Sequence, residues 1–357
     1  MAPEIYHLHP LVVGHLSDWQ RHLSHCRDMG FDVVCVAPPF VPDSSGDDEM
    51  RSLVGIPDPV TVLLRTDAAD ARAASRVVHR ELGALEDLRT LIAAARDNGL
   101  EIALGFAVQC SPDHPWLHDH PDWFCCRADG SIRFAKNPPK RYEDIANSDC
   151  YADTALPALS RVLRDMVFLA EPFTLPKVMY RLAEIGLTQS YTCVTWRHTI
   201  GEITGHLMEL NAVPAHEFAR PNLFVNTPNS NPPYLQASDR PGCLIRVALA
   251  CTPHGLWGMY SGFEICELEP LPGHEEYHDS EKYQMRLRDF SAPGNITAEI
   301  AGLNRICRVR PDDGALAATN LMHGHSFIWQ DRSQRIRLDP AELPSAIWQV
   351  MPPRGFQ

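Results

Sequence analysis

A glutamate at the end of an apolar run is the residue of this sequence best placed to do chemistry. The run Val167-Phe-Leu-Ala170 leads directly into Glu171 and then into Pro172. A short apolar run that ends in breaker residues predicts a buried parallel strand. A carboxylate there is costly to desolvate unless a partner or a reaction compensates, so Glu171 is a candidate general acid. The alternative is a carboxylate paired with Arg164 or Arg181, and position alone does not decide between the two.

Strand and helix patterns alternate along the chain around this glutamate. Strands are predicted at 4–11, 31–40, 100–109, 167–174, 186–191, 222–228 and 256–262. Such alternation is typical of parallel β/α units, and in a β/α barrel the carboxyl ends of the strands carry the active site. A barrel closes with eight strands, and one fewer is predicted here. The predicted fold class is therefore α/β, a (β/α)8 TIM-barrel type with one β/α unit missing and unpaired strand edges at the gap.

The remaining segments divide the chain into two predicted domains. Residues 1–310 are predicted to form the barrel domain, and residues 311–357 a vestigial C-terminal β segment. Residues 41–78 predict a loop with a short helix, to which no chemistry is assigned. Residues 110–149 predict a long substrate loop, because loops of this length in compact domains are usually functional. Its aromatic residues provide flat surfaces of the kind on which sugars stack.

Composition and charge exclude several functional classes. Of the 357 residues, 45% are hydrophobic and 22% are charged, which predicts a globular protein with a sizeable core. A net charge of −13 argues against nucleic acid as a partner. No apolar stretch approaches the roughly 18 residues that a membrane span requires. The first residues lack the basic start and apolar core of a secretory signal, so the predicted location is the cytoplasm.

The cysteines and histidines do not form a recognisable metal motif. The 11 cysteines are scattered without a Cys-x-x-Cys pair, which favours reduced thiols over a disulfide framework or a zinc site. One group of residues could form a metal site: His114, His118, His120, Cys125 and Cys126. Its irregular spacing in a proline-rich segment favours ordinary surface histidines, so neither a metal nor a cofactor is expected.

Six longer motifs follow one another in a fixed order. They are Gln109-Cys-Ser-Pro-Asp-His-Pro-Trp116, Asn137-Pro-Pro-Lys-Arg-Tyr-Glu-Asp144, Phe168-Leu-Ala-Glu-Pro-Phe-Thr174, Gly186-Leu-Thr-Gln-Ser-Tyr191, Arg220-Pro-Asn-Leu-Phe-Val-Asn-Thr-Pro228 and Asp279-Ser-Glu-Lys-Tyr283. Together they span most of residues 79–308. In residue identity and order they resemble motifs of the α-1,4-glucan:maltose-1-phosphate maltosyltransferases, which belong to the α-amylase-type family 13 of glycoside-active enzymes.

The resemblance implies a reaction and roles for particular residues. Members of this family transfer a maltosyl unit from maltose 1-phosphate to the non-reducing end of α-1,4-glucan with retention, which needs two carboxyl groups about 5 Å apart. By motif match, Glu171 takes the general acid/base role. The positions that match those holding the donor sugar and its phosphate are Gln109, Asn137, Lys140, Tyr142, Asp144, Lys282 and Tyr283. Lysine and tyrosine are suitable hydrogen-bond donors to a phosphate.

The sequence also departs from the family pattern. The nucleophile segment Arg-Val-Asp-Asn-Pro-His, expected before the strand that ends at Glu171, is absent, and the nearest carboxylates are Asp149 and Asp153. Asn229 stands where a third carboxylate is expected, and Gly105 where an acidic residue is usual. The family's N-terminal β-sandwich domain is also missing, which weakens the expectation of its usual homodimer.

The sequence is compatible with three interpretations of this pattern. The first is an active maltosyltransferase built on Glu171. The second is a non-catalytic protein that binds maltose 1-phosphate or α-glucan, because covalent catalysis requires an attacking group. The third is a remnant with internal deletions that folds poorly.

Overall fold

The computed structural model describes most of the barrel and parts of the segments around it. The described residues are 3–9, 13–36, 60–63, 82–106, 115–137, 140–147, 149, 151, 167–170, 176–184, 189–213, 215–228, 230–254, 256–278, 288–307, 317–320, 326–328 and 348–351. The strands are β1 (Ile5–Leu8), β2 (Val33–Val36), β3 (Val60–Leu63), β4 (Glu101–Phe106), β5 (Phe134–Asn137), β6 (Lys140–Ala146), β7 (Val167–Ala170), β8 (Gln189–Tyr191), β9 (Pro221–Phe224), β10 (Trp257–Tyr260), β11 (Ala317–Asn320), β12 (Ser326–Ile328) and β13 (Trp348–Met351).

Helices follow most of the barrel strands. They are α1 (Gln20–Asp28), α2 (Leu85–Asp97), α3 (Pro115–Asp119), α4 (Pro176–Glu184), α5 (Ile200–Asn211), α6 (Ala215–Phe218), α7 (Pro233–Gln236), α8 (Asp239–His254) and α9 (Thr297–Cys307). Among them, α2, α4, α5 and α8 follow the alternation of strands and helices that the sequence predicts. None of the helices described is long and apolar enough to cross a membrane.

Eight strands close into one barrel in the order β1-β10-β9-β8-β7-β3-β4-β2. The seven strands predicted from the sequence are all present, and they run parallel to one another. The eighth strand, β3, is antiparallel to both of its neighbours, β4 and β7. The TIM-barrel prediction with one β/α unit missing is confirmed, and the missing unit's place in the sheet is occupied.

The position of β3 corrects two expectations. Val60 pairs with Phe106 of β4 and with Ala170 of β7, so its backbone satisfies both strand edges. The prediction of unpaired edges at the gap is therefore wrong, because a strand from elsewhere in the chain fills it. The prediction that residues 41–78 form a loop with a short helix is wrong for Val60–Leu63, which supplies this strand.

The interior of the barrel is filled by alternate residues of its strands. One cluster of buried side chains comprises Ile5, Val33, Cys35, Ala103, Leu169, Tyr191, Phe224 and Leu256. Tyr191 stacks on Phe224 with 4.1 Å between ring centroids. Gly258 faces this pair, and a Cβ there would collide with the Phe224 ring, which is why glycine is required. Helix packing on the outside forms a second, larger core.

Local sequence signals explain the well-bounded helices. In α2, Leu88, Leu91 and Ala95 are buried at helical spacing, so one face packs on the sheet. The helix ends before Gly99, whose φ of +73° favours glycine. In α5, Thr199 and Glu202 form a capping box that satisfies the first backbone N–H groups.

Two smaller sheets lie outside the barrel order. Strands β5 and β6 form an antiparallel hairpin inside residues 110–149, so this segment contains regular structure and is not simply a loop. Strands β11, β12 and β13 form a three-stranded antiparallel sheet within residues 317–351. The division into domains at residue 310 stays a prediction.

Candidate functional site

The predicted general acid is located by the strand that precedes it. β7 is confirmed as a barrel strand, with Leu169 fully buried in the interior. Its last residue, Ala170, pairs with Ser190 of β8 and with Val60 of β3. Glu171 follows Ala170 directly and lies outside the described residues. Its catalytic role stays a prediction.

The predicted donor-sugar residues fall into two groups. Gln109, Lys282 and Tyr283 lie outside the described residues. Four others belong to the hairpin β5–β6, whose backbone is described: Asn137, Lys140, Tyr142 and Asp144. The hairpin places Asn137 directly opposite Lys140, the closing pair of its turn. The sugar- and phosphate-binding roles of all seven stay predictions.

At the carboxyl edge of the barrel the structure brings together four buried polar residues, here called the mouth cluster: His7, Asn226, Tyr260 and Tyr277. His7 of β1 is in register with Tyr260 of β10, and their rings meet edge to face at 5.9 Å. The Tyr260 backbone N–H donates to Asn226 Oδ1 at 2.9 Å. The Asn226 side-chain amide in turn contacts the Tyr277 hydroxyl at 2.6 Å. Hydrogen bonds thus join Asn226, Tyr260 and Tyr277, and His7 of β1 adds an aromatic contact.

The mouth cluster retains unused hydrogen-bonding capacity. Among the described residues, neither ring nitrogen of His7 nor the hydroxyl of Tyr260 has a hydrogen-bond partner, although the two residues are only 4% and 1% exposed. Burial lowers the pKa of His7 to about 4, so its imidazole is neutral near pH 7. Leaving such a group unpaired costs about 1–3 kcal/mol. The cluster can therefore hydrogen-bond an uncharged polar group such as a sugar hydroxyl.

Arg288 lies beside this cluster, and Glu267 compensates its positive charge. Its guanidinium Nε donates to Glu267 Oε2 at 2.8 Å, and its side chain is only 2% exposed. It also donates to Ser261 Oγ at 3.2 Å and lies 5.7 Å from the centre of the Tyr260 ring. Arg288 thus fixes the chain just beyond residues 279–287 to the end of β10.

A buried glutamate, Glu264, forms a hydrogen-bond network close to the end of β10. Glu264 is 0% exposed and accepts hydrogen bonds from Tyr6 Oη at 2.6 Å and from the Gly262 N–H at 2.9 Å. His25 of α1 lies 3.2 Å away, with its ring stacked on Phe290. Burial alone would raise the pKa of Glu264, but these hydrogen bonds and His25 outweigh it and lower the pKa. Burial and the Glu264 charge raise the pKa of Tyr6. The network locks β1, α1 and the turn after β10 together.

The structure describes four of the five residues that could form a metal site, namely His118, His120, Cys125 and Cys126. In the part of the chain that is described, no group of three or more histidine, cysteine or acidic residues could hold a metal ion. His118 is exposed beside Asp119, and His120 stacks on Trp123 at 4.0 Å. Cys126 is exposed, and His114 lies outside the described residues.

Of the two carboxylates nearest to the position where the nucleophile segment is expected, the structure describes Asp149. Asp149 Oδ1 accepts the backbone N–H of Tyr151 at 2.9 Å, which is a local turn and not the end of a barrel strand. Asp153 lies outside the described residues. Within the described part, Asp149 therefore serves the turn that follows the β5–β6 hairpin.

Sequence reasoning missed the mouth cluster. The available signal was strand alternation, since His7 follows Ile5 and Tyr260 follows Gly258 by two residues on inward-facing positions. Burial and the absence of partners become evident only when the barrel is closed.

Comparison with known proteins identifies the family. No protein-family model matches the chain. A maltosyltransferase from Pseudomonas aeruginosa, named α-1,4-glucan:maltose-1-phosphate maltosyltransferase, is 39% identical over 96% of this chain and 66% of its own. A protein of the same name from Burkholderia pseudomallei is 47% identical over 84% of this chain and 30% of its own. The chain belongs to this maltosyltransferase family.

The chain covers only part of the length of the maltosyltransferases that it matches. It spans less than two thirds of the length of these two relatives. The alignment with the Pseudomonas protein extends over 443 positions, which exceeds the 357 residues of the whole chain. The relative therefore has internal stretches that this chain lacks.

Solved structures support the barrel fold alone. An α-amylase from Anoxybacillus matches with a TM-score of 0.62 and 13% identity, covering 99% of both chains. An α-amylase from Lactobacillus plantarum matches with a TM-score of 0.58 and 16% identity, covering 91% of this chain and 84% of its own.

Proposed function

We propose that this chain binds maltose 1-phosphate or α-1,4-glucan at the carboxyl edge of its barrel and does not carry out the retaining maltosyl transfer. It is then a pseudoenzyme of α-glucan metabolism. Glu171 would lie at the ligand, and Gln109, Lys282 and Tyr283 would hold the donor sugar and phosphate, with Asn137, Lys140, Tyr142 and Asp144 from the hairpin. The alternative is an active maltosyltransferase, which would release phosphate from maltose 1-phosphate.

The direction of β3 is the main observation against retaining maltosyl transfer. Retention requires a carboxylate nucleophile about 5 Å from the general acid. The resemblance expects this group on the strand that precedes the Glu171 strand, whose carboxyl end would reach the site. In this barrel the neighbour of β7 is β3, which runs the other way, so its final residue, Leu63, pairs with Val167 at the amino end of β7. A nucleophile at the carboxyl end of β3 would therefore lie at the opposite edge of the barrel from the position that follows β7, which Glu171 occupies in the sequence.

The mouth cluster supports the binding half of the proposal. A neutral His7 and the hydroxyl of Tyr260 offer hydrogen bonds without a competing charge, which suits the hydroxyl groups of a sugar. Arg288 is held by Glu267, so the phosphate is assigned instead to Lys282 and Tyr283 by motif match. In this proposal the uncharged mouth cluster contacts the sugar, and Lys282 and Tyr283 contact the phosphate.

Two assays on one purified sample test the proposal. Thermal unfolding is followed with and without maltose 1-phosphate, and phosphate release is then measured after adding glycogen. A ligand that binds only the folded chain stabilises it by about 2.7 kcal/mol at one hundred times its dissociation constant. We expect a higher melting midpoint and no phosphate release. Release of phosphate would establish the active enzyme, and a cooperative melt without a shift would exclude binding. A broad, non-cooperative melt would support the poorly folded remnant.

Matched variants locate the ligand. Lys282→Met should reduce the maltose 1-phosphate shift, because it removes the charge assigned to the phosphate. Arg89→Met is the control, since it also removes one positive charge but from an exposed pair with Glu86 on α2. Tyr260→Phe should reduce the shift given by either maltose 1-phosphate or maltose. Equal shifts in all three variants would place the ligand elsewhere.

The cytoplasmic location and a homodimer stay predictions. Light scattering on the purified chain gives the mass in solution and decides the second.

A further inference from the structure

The end of β10 and the turn after it form a socket for the buried Arg288 guanidinium, here called the Arg288 socket. Its members are Tyr260, Ser261, Gly262 and Glu267. The guanidinium donates to Glu267 Oε2 at 2.8 Å and to Ser261 Oγ at 3.2 Å, and it lies 5.7 Å from the centre of the Tyr260 ring. A Cβ on Gly262 would lie 2.8 Å from Arg288 Nε, so this close approach requires glycine.

The socket specifies a geometry more than it adds stability. Burying an arginine–carboxylate pair gains little over an apolar pair of the same volume, because desolvation offsets the attraction between the charges. The planar guanidinium, by contrast, can donate to Glu267 and Ser261 together in only a narrow range of orientations. Arg288 is therefore held in one position at the end of β10.

Phe290 adds a second fixed point two residues further along the chain. Its ring stacks on His25 with 4.1 Å between ring centroids and meets His22 edge to face at 5.4 Å. Both histidines belong to α1. Residues 288–290 are thus attached to the end of β10 on one side and to α1 on the other.

The chain before Arg288 begins at the same place where it ends. Tyr277 lies 5.7 Å from the Tyr260 ring, which is also the ring beside the Arg288 guanidinium. Residues 278–287 therefore connect two points on one aromatic side chain of the mouth cluster. Lys282 is six residues before Arg288, so chain length alone keeps it within about 22 Å of that residue.

We propose that Glu267, Ser261 and Arg288 are positioning residues for a phosphate contact at the barrel mouth. The inference rests on the proposed function, in which Lys282 and Tyr283 hold the phosphate of maltose 1-phosphate. Arg288 positions the chain and does not bind the ligand, because Glu267 already compensates its charge. Loosening the socket then lowers the affinity for the phosphate and leaves the sugar contact of the mouth cluster unchanged.

Calorimetric titration of the full chain with maltose 1-phosphate and with maltose tests the proposal. Glu267→Gln preserves the size of the side chain and removes the charge that holds Arg288. We expect the Kd for maltose 1-phosphate to rise at least about tenfold, as for the loss of one hydrogen bond to a charged group, and the Kd for maltose to stay unchanged. Glu267→Asp should restore part of the affinity. Ser261→Ala, which removes only the bond at 3.2 Å, should show the same selective loss at a smaller size.

Asn304→Ala is the matched control for a loss of stability. Buried Asn304 accepts from Trp257 Nε1 at 2.8 Å and donates to the Met29 carbonyl at 3.0 Å, in the core between the helices and the outside of the barrel. The variant loses both hydrogen bonds without touching the socket. Its Kd values for both ligands should equal those of the wild type.

Trypsin gives a second measurement that needs no ligand. The segment offers cleavage sites after Lys282 and after Arg286. Local opening determines the rate of such cleavage in a folded chain, so both bonds should be cut faster in Glu267→Gln than in the wild type or in Asn304→Ala. A loss of affinity without faster cleavage would overturn the positioning role.

The outcomes separate this inference from the proposed function. An unchanged Kd for maltose 1-phosphate in Glu267→Gln would overturn the inference alone, provided that the wild type binds. Equal losses for maltose 1-phosphate and maltose would also overturn it, because the socket would then serve only the fold. No binding of maltose 1-phosphate by the wild type would refute the proposed function and the positioning role together.

Discussion

Buried His7 should make this protein sensitive to mild acid. Burial holds its pKa at about 4, against an ordinary value of 6.5. Between these two values the unfolded chain binds a proton that the folded chain does not bind, so stability falls as pH falls. One pKa unit corresponds to about 1.36 kcal/mol, which gives a loss of about 2 kcal/mol at pH 5 and about 3 kcal/mol at pH 4.

The test is His7→Phe, which preserves a flat ring against Tyr260 and removes the two unpartnered nitrogens. Urea unfolding of wild type and variant is measured at pH 7 and pH 5. Buried His22 also has its pKa lowered to about 4, chiefly by burial, so the wild type should lose about 4 kcal/mol and His7→Phe about 2 kcal/mol. Near pH 7 the variant should be as stable as the wild type, or slightly more stable.

Two further variants make the result specific. His22→Phe should reduce the acid loss by a similar amount, because it removes the other buried imidazole. His118→Gln should leave the wild-type profile unchanged, since its side chain is 93% exposed. An equal loss between pH 7 and pH 5 in wild type and His7→Phe would refute the reasoning.

Three other substitutions test the support of the barrel mouth. Tyr6→Phe removes a buried hydrogen bond to the Glu264 carboxylate and should cost about 1.5–3 kcal/mol in urea unfolding, so an unchanged free energy would contradict the network. Glu267→Gln leaves buried Arg288 without its charge partner and should cost about 3 kcal/mol by the same measurement, whereas a neutral result would mean that solvent compensates the arginine. Tyr260→Phe removes an unpartnered hydroxyl and should leave the melting midpoint of the ligand-free chain unchanged or raised, and a clear fall would reveal a hidden partner.

The predictions that held rest on local signals. Helix α2 was predictable because Leu88, Leu91 and Ala95 recur at helical spacing and Gly99 ends the pattern. The parallel strands were predictable because each is a short apolar run buried on both faces, as β2 is. Such signals depend only on neighbouring residues, and so they survive the loss of a β/α unit.

The role of Val60–Leu63 could not be predicted in the same way. Three apolar residues and one threonine, in a segment of mixed composition, are as compatible with a loop as with a strand. Their pairing depends on two open edges, at β4 and at β7, that are distant from each other in sequence. The direction of the strand follows from how the chain reaches the gap, which is a property of the closed barrel.

The sequence by itself determined the family and the alternation of strands and helices, and it predicts that the segment carrying the nucleophile is missing. These are properties of motifs and of local periodicity. Tertiary structure decided that an antiparallel strand closes the barrel and that His7 and Tyr260 are buried without hydrogen-bond partners in the described part of the chain. Each of these depends on contacts between distant parts of the chain, because burial and pairing arise only when the elements pack together.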